Sequence, residues 1–179
     1  DRSSQIQPDP GCAGETFCPL IPLRVPERHR GVDADLDWRV RDDLRLRGVL
    51  TVQRGEIFDA DRGGYVAYGT DVAVPLRLTV GAEWRPVAAL GLSLQATHYG
   101  ASRYYAPGEE SVGLVDTDAV TLASGTLRWD FGAWQLYLAA DNLFDRRYIS
   151  PADQVQGLGG FSYTEAAGRR VTVGVSARF

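Results

Sequence analysis

The side chains best suited to binding a ligand are tyrosines and arginines in the polar segments between predicted strands. The candidate ligand-binding residues are Tyr65, Tyr68, Arg103, Tyr104, Tyr105, Arg147 and Tyr148. Guanidinium groups form charge-assisted hydrogen bonds with anions, and aromatic rings stack on other rings and on cations. As a set, these residues fit an anionic, ring-bearing ligand. Each one taken alone is better explained as an aromatic residue or a solvated charge at the end of a strand.

Cys12 and Cys18 are the two cysteines of the chain, with five residues between them. They lie in residues 1–29, a segment rich in Pro, Gly and polar residues that predicts a loop. In an oxidising compartment two such cysteines favour a disulfide, which would shape the loop and add about 2 kcal/mol of stability. Metal binding is the alternative, but two cysteines without a nearby histidine pair make a poor zinc site.

The sequence shows no catalytic or metal-binding constellation. His29 and His98 each stand alone near a predicted strand end, and no Ser-His-Asp order, Walker loop or paired-carboxylate signature is present. We therefore predict no catalytic residue, no metal ligand, no cofactor and no enzymatic activity. A net charge of -4 over 179 residues, with no basic run, also argues against nucleic acid as a partner.

Apolar and polar residues alternate with period two along most of the chain, which is typical of strands with two chemically different faces. The pattern predicts seven strands, at about 30–40, 44–54, 72–85, 90–99, 117–131, 134–144 and 168–179. Pro75 is awkward inside a central strand, so it predicts a bulge or the outer end of the third strand. Between the strands, short turns alternate with the long links 55–71, 100–115 and 145–167.

Three features favour a membrane-spanning barrel over a soluble sandwich. The strands run to about ten or more residues, enough to cross a bilayer, whereas strands of soluble domains average about five or six. Short and long connections alternate strictly, as expected when one rim faces the periplasm and the other the outside. The tryptophans lie beside the short turns, where a barrel places them at the lipid–water boundary; they are Trp38, Trp84, Trp129 and Trp134. We therefore predict an all-β, antiparallel transmembrane β-barrel.

Residues 134–179 contain a set of motif residues in a characteristic order. Asn142-Leu143-Phe144-Asp145 is followed by Tyr148, then by Gly168-Arg169 before the last strand, and the chain ends on Phe179. In this it closely resembles the C-terminal end of TonB-dependent outer-membrane receptors. The resemblance implies that the seven strands are the C-terminal portion of a barrel of about 22 strands. It also implies that the plug domain and the segment that contacts TonB lie outside this chain.

The domain organisation expected from the resemblance is an extracellular loop over residues 1–29, followed by barrel strands over residues 30–179. The turns would be periplasmic and the long links extracellular. The Asn142–Asp145 motif predicts a structural role at a strand end rather than ligand contact. In the family, a final strand ending in an aromatic residue is read by the barrel-assembly machinery, so Phe179 is the expected assembly signal.

The function expected from the resemblance is TonB-dependent transport of a scarce ligand across the bacterial outer membrane. The run Arg30-Gly31-Val32-Asp33 and the hairpin after it are most similar to siderophore receptors, which favours a ferric siderophore. Uptake of cobalamin, haem or an oligosaccharide is an alternative within the family, and a passive porin or another outer-membrane barrel is an alternative outside it. The expected partners are outer-membrane lipid, the siderophore, TonB through the plug, and the barrel-assembly machinery.

Overall fold

The structure is a computed structural model that describes residues 2–8, 10–12, 20–59, 62–67, 75–105, 114–157 and 160–177. Its strands in chain order are β1 (Arg2–Pro8), β2 (Leu20–Arg41), β3 (Leu44–Asp59), β4 (Gly64–Ala67), β5 (Leu76–Val87), β6 (Leu90–Tyr99), β7 (Ser102–Tyr105), β8 (Leu114–Thr117), β9 (Val120–Phe131), β10 (Trp134–Asp141), β11 (Ile149–Gly157), β12 (Gly160–Glu165) and β13 (Arg170–Ala177). The helical content of these ranges is one 3-10 turn, Pro10–Cys12. No helix in the described ranges is long and apolar enough to cross a membrane.

One antiparallel sheet contains most of the strands, in the order β1-β2-β3-β5-β6-β9-β10-β13, with β4 paired to β3. Two small antiparallel pairs, β7–β8 and β11–β12, are separate from it. The strands of the main sheet are long, reaching 16 residues in β3 and 22 in β2. Over the described residues the sheet does not close on itself, and β1 and β13 are its edges.

Tight turns at one end of the sheet join β2 to β3, β5 to β6, and β9 to β10. They are residues 42–43, 88–89 and 132–133. Gly132 has a φ of 63°, a left-handed conformation that glycine adopts without steric cost. We call this the short-turn end of the sheet, and the opposite end the long-link end.

Cross-strand register gives the sheet one apolar face and one polar face. Leu36 lies opposite Gly48, Gly48 opposite Val80, and Val80 opposite Ala96, so a single apolar row crosses four strands. The apolar face includes Val32, Leu36, Trp38, Leu78, Val80, Trp84, Leu94, Trp129, Trp134, Val171, Val173 and Val175, all of them exposed. The polar face carries the alternating residues of the same strands, among them Asp37, Arg47, Thr79 and Glu83.

The sheet has almost no buried core. Among the described residues, Ile57 is the one buried apolar side chain, and the buried polar ones are Thr97 and Asn142. A soluble domain buries most of its Val, Leu and Ile side chains, because their contact with water is unfavourable. The broad exposed apolar face therefore requires a covering other than water.

The tryptophans lie at the short-turn end, as the sequence predicts. Trp38, Trp84, Trp129 and Trp134 are all on the apolar face and partly exposed. The indole Nε1 of Trp84 donates a hydrogen bond to Oδ2 of Asp43, at 3.0 Å, in the turn between β2 and β3. This arrangement, with an apolar ring and a polar edge toward the turn, suits a boundary between an apolar and an aqueous medium.

Opposite charges face one another on the polar side of β2, β3 and β5. The guanidinium of Arg45 makes a two-pronged ion pair with Asp37 across the β2–β3 hairpin. Arg47 lies 3.8 Å from the same carboxylate and 3.3 Å from Glu83 on β5. Each exposed pair contributes little stability by itself, but together they keep this face close to neutral.

The seven predicted strands are confirmed as β2, β3, β5, β6, β9, β10 and β13, but the prediction of loop throughout residues 1–29 was wrong. β2 begins at Leu20, and its first part pairs with β1 from Leu20 opposite Pro8 to Pro26 opposite Arg2. The prolines favoured a loop prediction because they cannot donate to a strand ladder. In a two-stranded pairing they are tolerated at positions whose nitrogen points away from the partner strand.

The long links also contain strands that the sequence pattern does not predict. β3 continues to Asp59 and turns back as β4, while β7–β8 and β11–β12 are hairpins within the second and third links. Neither short pair shows a clean apolar–polar alternation, so no periodicity revealed them. Pro75 lies directly before β5, and its carbonyl accepts a hydrogen bond from the backbone nitrogen of Gln53. The prediction that Pro75 lies at the outer end of the third strand is therefore confirmed.

Candidate functional site

The long-link end brings two candidate ligand-binding segments together. β4, which carries Tyr65, lies beside β7, which carries Arg103, Tyr104 and Tyr105. These segments are far apart in sequence, and the pairing of β3 with both β4 and β5 brings them to the same end of the sheet. The result is that two short strands with aromatic and basic residues lie side by side at one end of the main sheet.

Tyr65 is held by two neighbours. Its ring meets that of Phe58 edge-on, with 5.5 Å between ring centroids. The guanidinium of Arg28 lies over the ring, 3.5 Å from its centroid, which is a close cation–π contact. Phe58 and Tyr65 are opposite one another in the β3–β4 register, so both project from the side of the sheet that carries the apolar face.

The backbone of β7 places the next three candidates in a regular hairpin with β8. Arg103 lies opposite Asp116, Tyr104 opposite Val115 and Tyr105 opposite Leu114. Tyr68 lies outside the described residues. Ligand contact by any of these residues stays a prediction.

The Asn142-Leu143-Phe144-Asp145 motif forms a tight backbone clamp at the end of β10. The side chain of Asn142 donates from Nδ2 to the carbonyl of Arg146 and accepts from the backbone nitrogen of Arg146, both at 2.9 Å. Asn142 is buried and has a φ of 48°, a left-handed conformation that Asn tolerates better than most residues. Both hydrogen-bonding groups of its amide are therefore satisfied within the turn.

Asp145 joins this turn to the start of the last strand. Its φ is 51°, and its Oδ1 accepts a hydrogen bond from the backbone nitrogen of Arg169 at 2.8 Å. A Cβ on Gly168 would lie 2.8 Å from the same carboxylate oxygen, so any larger residue there would displace the Asp145 carboxylate. Gly168 and Arg169 thus both contact the carboxylate of Asp145. This agrees with the predicted structural role of the motif at a strand end.

Arg147 and Tyr148 follow the clamp directly. Arg147 is exposed, whereas Tyr148 is half-buried and its carbonyl accepts a hydrogen bond from Ala166 at 2.9 Å. The clamp therefore fixes where this arginine and tyrosine leave the sheet. Their participation in ligand binding stays a prediction.

The remaining predicted residues lie at or beyond the limits of the described chain. Cys12 is disulfide-bonded. Cys18 lies outside the described residues, so its pairing with Cys12 stays a prediction, as does the assembly role of Phe179. Within the described part of the chain no group of three or more His, Cys, Asp or Glu side chains could hold a metal ion.

Sequence reasoning missed the arginines that follow the apolar stretches of β2 and β3 toward the long-link end. Arg28 orders Tyr65, and Arg30 lies directly opposite Arg54 on the neighbouring strand. The period-two alternation that assigned Val32 to the apolar face assigns these residues to the same side. Continuing the period-two alternation beyond Val32 and Val52 would have assigned Arg28, Arg30 and Arg54 to the apolar-face side.

Comparison with known proteins identifies the architecture. The family model described as TonB dependent receptor-like, beta-barrel, matches residues 1–143. FpvA of P. aeruginosa, in a structure bound to a heterologous pyoverdine and iron, superposes with a TM-score of 0.68 and 12% identity, over 96% of this chain and 22% of that one. The ferric-catecholate import receptor Fiu from K12 E. coli gives a TM-score of 0.63 and 15% identity, over 90% and 22% of the two chains.

A copper transporter, OprC, shares the same architecture, with a TM-score of 0.66 and 14% identity, over 89% of this chain and 25% of that one. The present chain thus spans about a quarter of the length of these structures. At such identities the likeness establishes the fold and not the ligand.

Proposed function

The chain belongs to the TonB-dependent receptor β-barrel family, and from this we propose that the complete receptor imports a ferric siderophore across the bacterial outer membrane. TonB would supply the energy from the inner membrane through a plug domain. The observation that carries the proposal is the sheet itself, which is antiparallel, long-stranded, and apolar on an exposed face. Such a face is stable in contact with lipid, and the opposite polar face suits an aqueous barrel interior.

A siderophore is the favoured ligand for two reasons. Two of the similar structures, FpvA and Fiu, are described as binding ferric pyoverdine and importing ferric catecholates. The candidate site has arginines and tyrosines at one end of the sheet, and this combination suits an anionic chelate whose iron-binding oxygens are carried on aromatic rings. The residues proposed to contact it are Tyr68, Arg103, Tyr104, Tyr105, Arg147 and Tyr148. Tyr65 is left out of this set because its ring projects from the apolar-face side of the sheet.

Uptake of labelled iron tests the substrate class. The receptor gene would be expressed in an outer-membrane receptor-deficient strain, with ⁵⁵Fe supplied as catecholate, hydroxamate or mixed-type complexes. We expect energy-dependent accumulation with one of these classes, abolished when TonB is deleted.

Two outcomes contradict the proposal. Saturable uptake of copper, cobalamin or haem, with no iron–siderophore accumulation, would assign another substrate. Passive, TonB-independent solute flux would indicate a porin instead. Cell fractionation with antibody detection would separately test the outer-membrane location, because it requires no knowledge of the ligand.

A further inference from the structure

Four charged residues lie on the apolar-face side of β2 and β3, directly beyond its last valines. The register places Val32 opposite Val52, then Arg30 opposite Arg54, then Arg28 opposite Glu56, with no shift between these pairs. Side chains two residues apart on a strand project to the same side. We call Arg28, Arg30, Arg54 and Glu56 the outer arginine patch.

Once the apolar face is covered by lipid, the patch lies near the outer edge of the apolar band, within reach of the lipid headgroups. Arg30 is eight residues from Trp38, which lies at the short-turn end. At about 3.3 Å per residue and a tilt of about 45°, this separation spans roughly 19 Å along the membrane normal. The apolar band of such barrels is about 25 Å tall, and arginine side chains extend from its edge toward the headgroups.

The patch is basic and incompletely neutralised. Three arginines and one glutamate give it a charge of 3 − 1 = +2, although the whole chain has a net charge of -4. Arg54 pairs with Glu56 at 2.9 Å, yet its side chain is 76% exposed. Among the described residues no carboxylate forms an ion pair with Arg30, which stands directly opposite Arg54. Like charges in this position destabilise a sheet unless an anion bridges them.

The side chain of Arg28 is already held in place to bind such a bridging anion. Its guanidinium is stacked on Tyr65, 3.5 Å from the ring centroid, and Tyr65 is fixed in turn by Phe58. A stacked guanidinium loses little further freedom on binding and keeps its N–H groups available around the ring edge. The patch thus combines one ordered arginine with two adjacent arginines on neighbouring strands.

We propose that the outer arginine patch binds the phosphate group of a phosphorylated lipid in the outer leaflet. Guanidinium groups match phosphate oxygens in a two-pronged geometry, and an oxygen shared by Arg30 and Arg54 relieves their mutual repulsion. The occupant is membrane lipid and not the transported ligand, because the patch projects from the lipid-facing side of the sheet. This inference rests on the proposed outer-membrane location.

The test measures lipid binding by the purified full receptor in neutral detergent. The probes are a bis-phosphorylated disaccharide lipid, the same lipid without its phosphates, and inorganic phosphate, followed by native mass spectrometry. The variant is Arg30→Gln/Arg54→Gln, and the matched control is Arg39→Gln/Arg77→Gln, which removes the same charge from the polar face. Each basic residue near an anionic surface contributes about fivefold in affinity, so we expect the variant to bind the phosphorylated lipid about 25-fold more weakly.

Retention of wild-type affinity by the variant would overturn the proposal, as would equal weakening in the control. Binding that does not depend on the lipid phosphates would also overturn it, and so would inorganic phosphate that competes at the same concentration as the lipid.

Heat-modifiable mobility checks that each variant is a folded barrel. Arg30→Lys/Arg54→Lys provides a charge-preserving variant, which we expect to bind the phosphorylated lipid more tightly than the Gln pair does. Iron–siderophore uptake by the same variants reports separately on the proposed function, because lipid binding requires no transported ligand.

Discussion

Asn142 shows how one residue decides the path of the chain after β10. Its backbone adopts a left-handed φ that disfavours most side chains, and its amide closes two hydrogen bonds to Arg146. The side chain thereby stabilises the turn that its own backbone conformation begins. Asp145 repeats the pattern, because its carboxylate accepts from Arg169 while its φ is also positive.

Replacing Asn142 with Ala should destabilise the full receptor by about 2–3 kcal/mol. The change removes two hydrogen bonds of about 1 kcal/mol each and adds the strain of a Cβ residue at positive φ. Urea unfolding of the receptor in detergent, followed by tryptophan fluorescence, measures the difference. Phe144→Ala is the control within the same motif, because Phe144 is 69% exposed. Equal losses in the two variants would contradict the role assigned to the amide.

Leu78 and Thr79 test which face meets lipid. Leu78→Arg should cost about 2–4 kcal/mol in the full receptor, the scale for arginine on a lipid-facing strand at the bilayer midplane. Thr79→Arg should cost much less. Thr79 lies on the polar face, where its hydroxyl is 3.2 Å from that of Thr97. Folding equilibria in lipid vesicles measure both variants, and similar destabilisation by each would show that the faces are wrongly assigned.

At the scale of elements, long strands form the main sheet, and the links at its long-link end contain short hairpins. β2 and β3 flank a two-residue turn and run for 22 and 16 residues. β4 pairs with the outer end of β3 and lies beside β7. The two small pairs share no ladder with the main sheet. Loops carried on a rigid scaffold in this way can vary without loss of the fold, which suits a ligand-binding role.

Removing residues 101–113, which include β7, should leave the full receptor inserted but remove most of its siderophore affinity. The deletion takes away Arg103, Tyr104 and Tyr105 while sparing the β6–β9 ladder, which ends at Tyr99 opposite Val120. Heat-modifiable mobility reports insertion, and fluorescence quenching by the ferric siderophore reports affinity. Unchanged affinity with normal insertion would exclude β7 from the binding site.

At the scale of the whole molecule, most apolar side chains and the ion-paired charges lie on opposite faces of one sheet. Most of the exposed valines and leucines, and the four tryptophans, lie on one side of the sheet, and the ion pairs of Asp37, Arg45, Arg47 and Glu83 lie on the other. The sheet is open at β1 and β13 within the described residues. Unpaired edges are sites for further strand pairing, so we expect β13 to pair with another strand in the complete barrel.

Deleting Phe179 should reduce the amount of inserted receptor far more than Ser176→Ala does. The reason is the expected role of the final aromatic residue as the signal read by the barrel-assembly machinery. Ser176 is exposed and lies on the polar face opposite Gln135, so its change leaves the apolar pattern of β13 intact. Immunoblots of outer-membrane fractions, with and without heating, measure the folded fraction. Equal amounts of folded barrel in the two variants would remove the assembly-signal interpretation.

The sequence by itself determined the two faces, the seven main strands and the tryptophan boundary. These features are local, because alternation of side chains follows from the geometry of an extended backbone and a short turn needs only a few residues. Val171, Val173 and Val175 share a face in any strand that contains them. The Asn142–Asp145 motif could also be assigned a structural role, because Asn and Asp favour turns that their own side chains close.

Only the tertiary structure decided what meets at the long-link end. The approach of β4 to β7 depends on the register of strands distant in sequence, and a change of one residue in that register would turn every side chain to the opposite face. The same holds for Arg30 beside Arg54 and for Arg28 over Tyr65. The carboxylate that lies against Gly168 comes from Asp145, across an entire hairpin. Such contacts depend on which strands pair and in which register, and the side-chain interactions across strands that decide this cannot be read from any single segment.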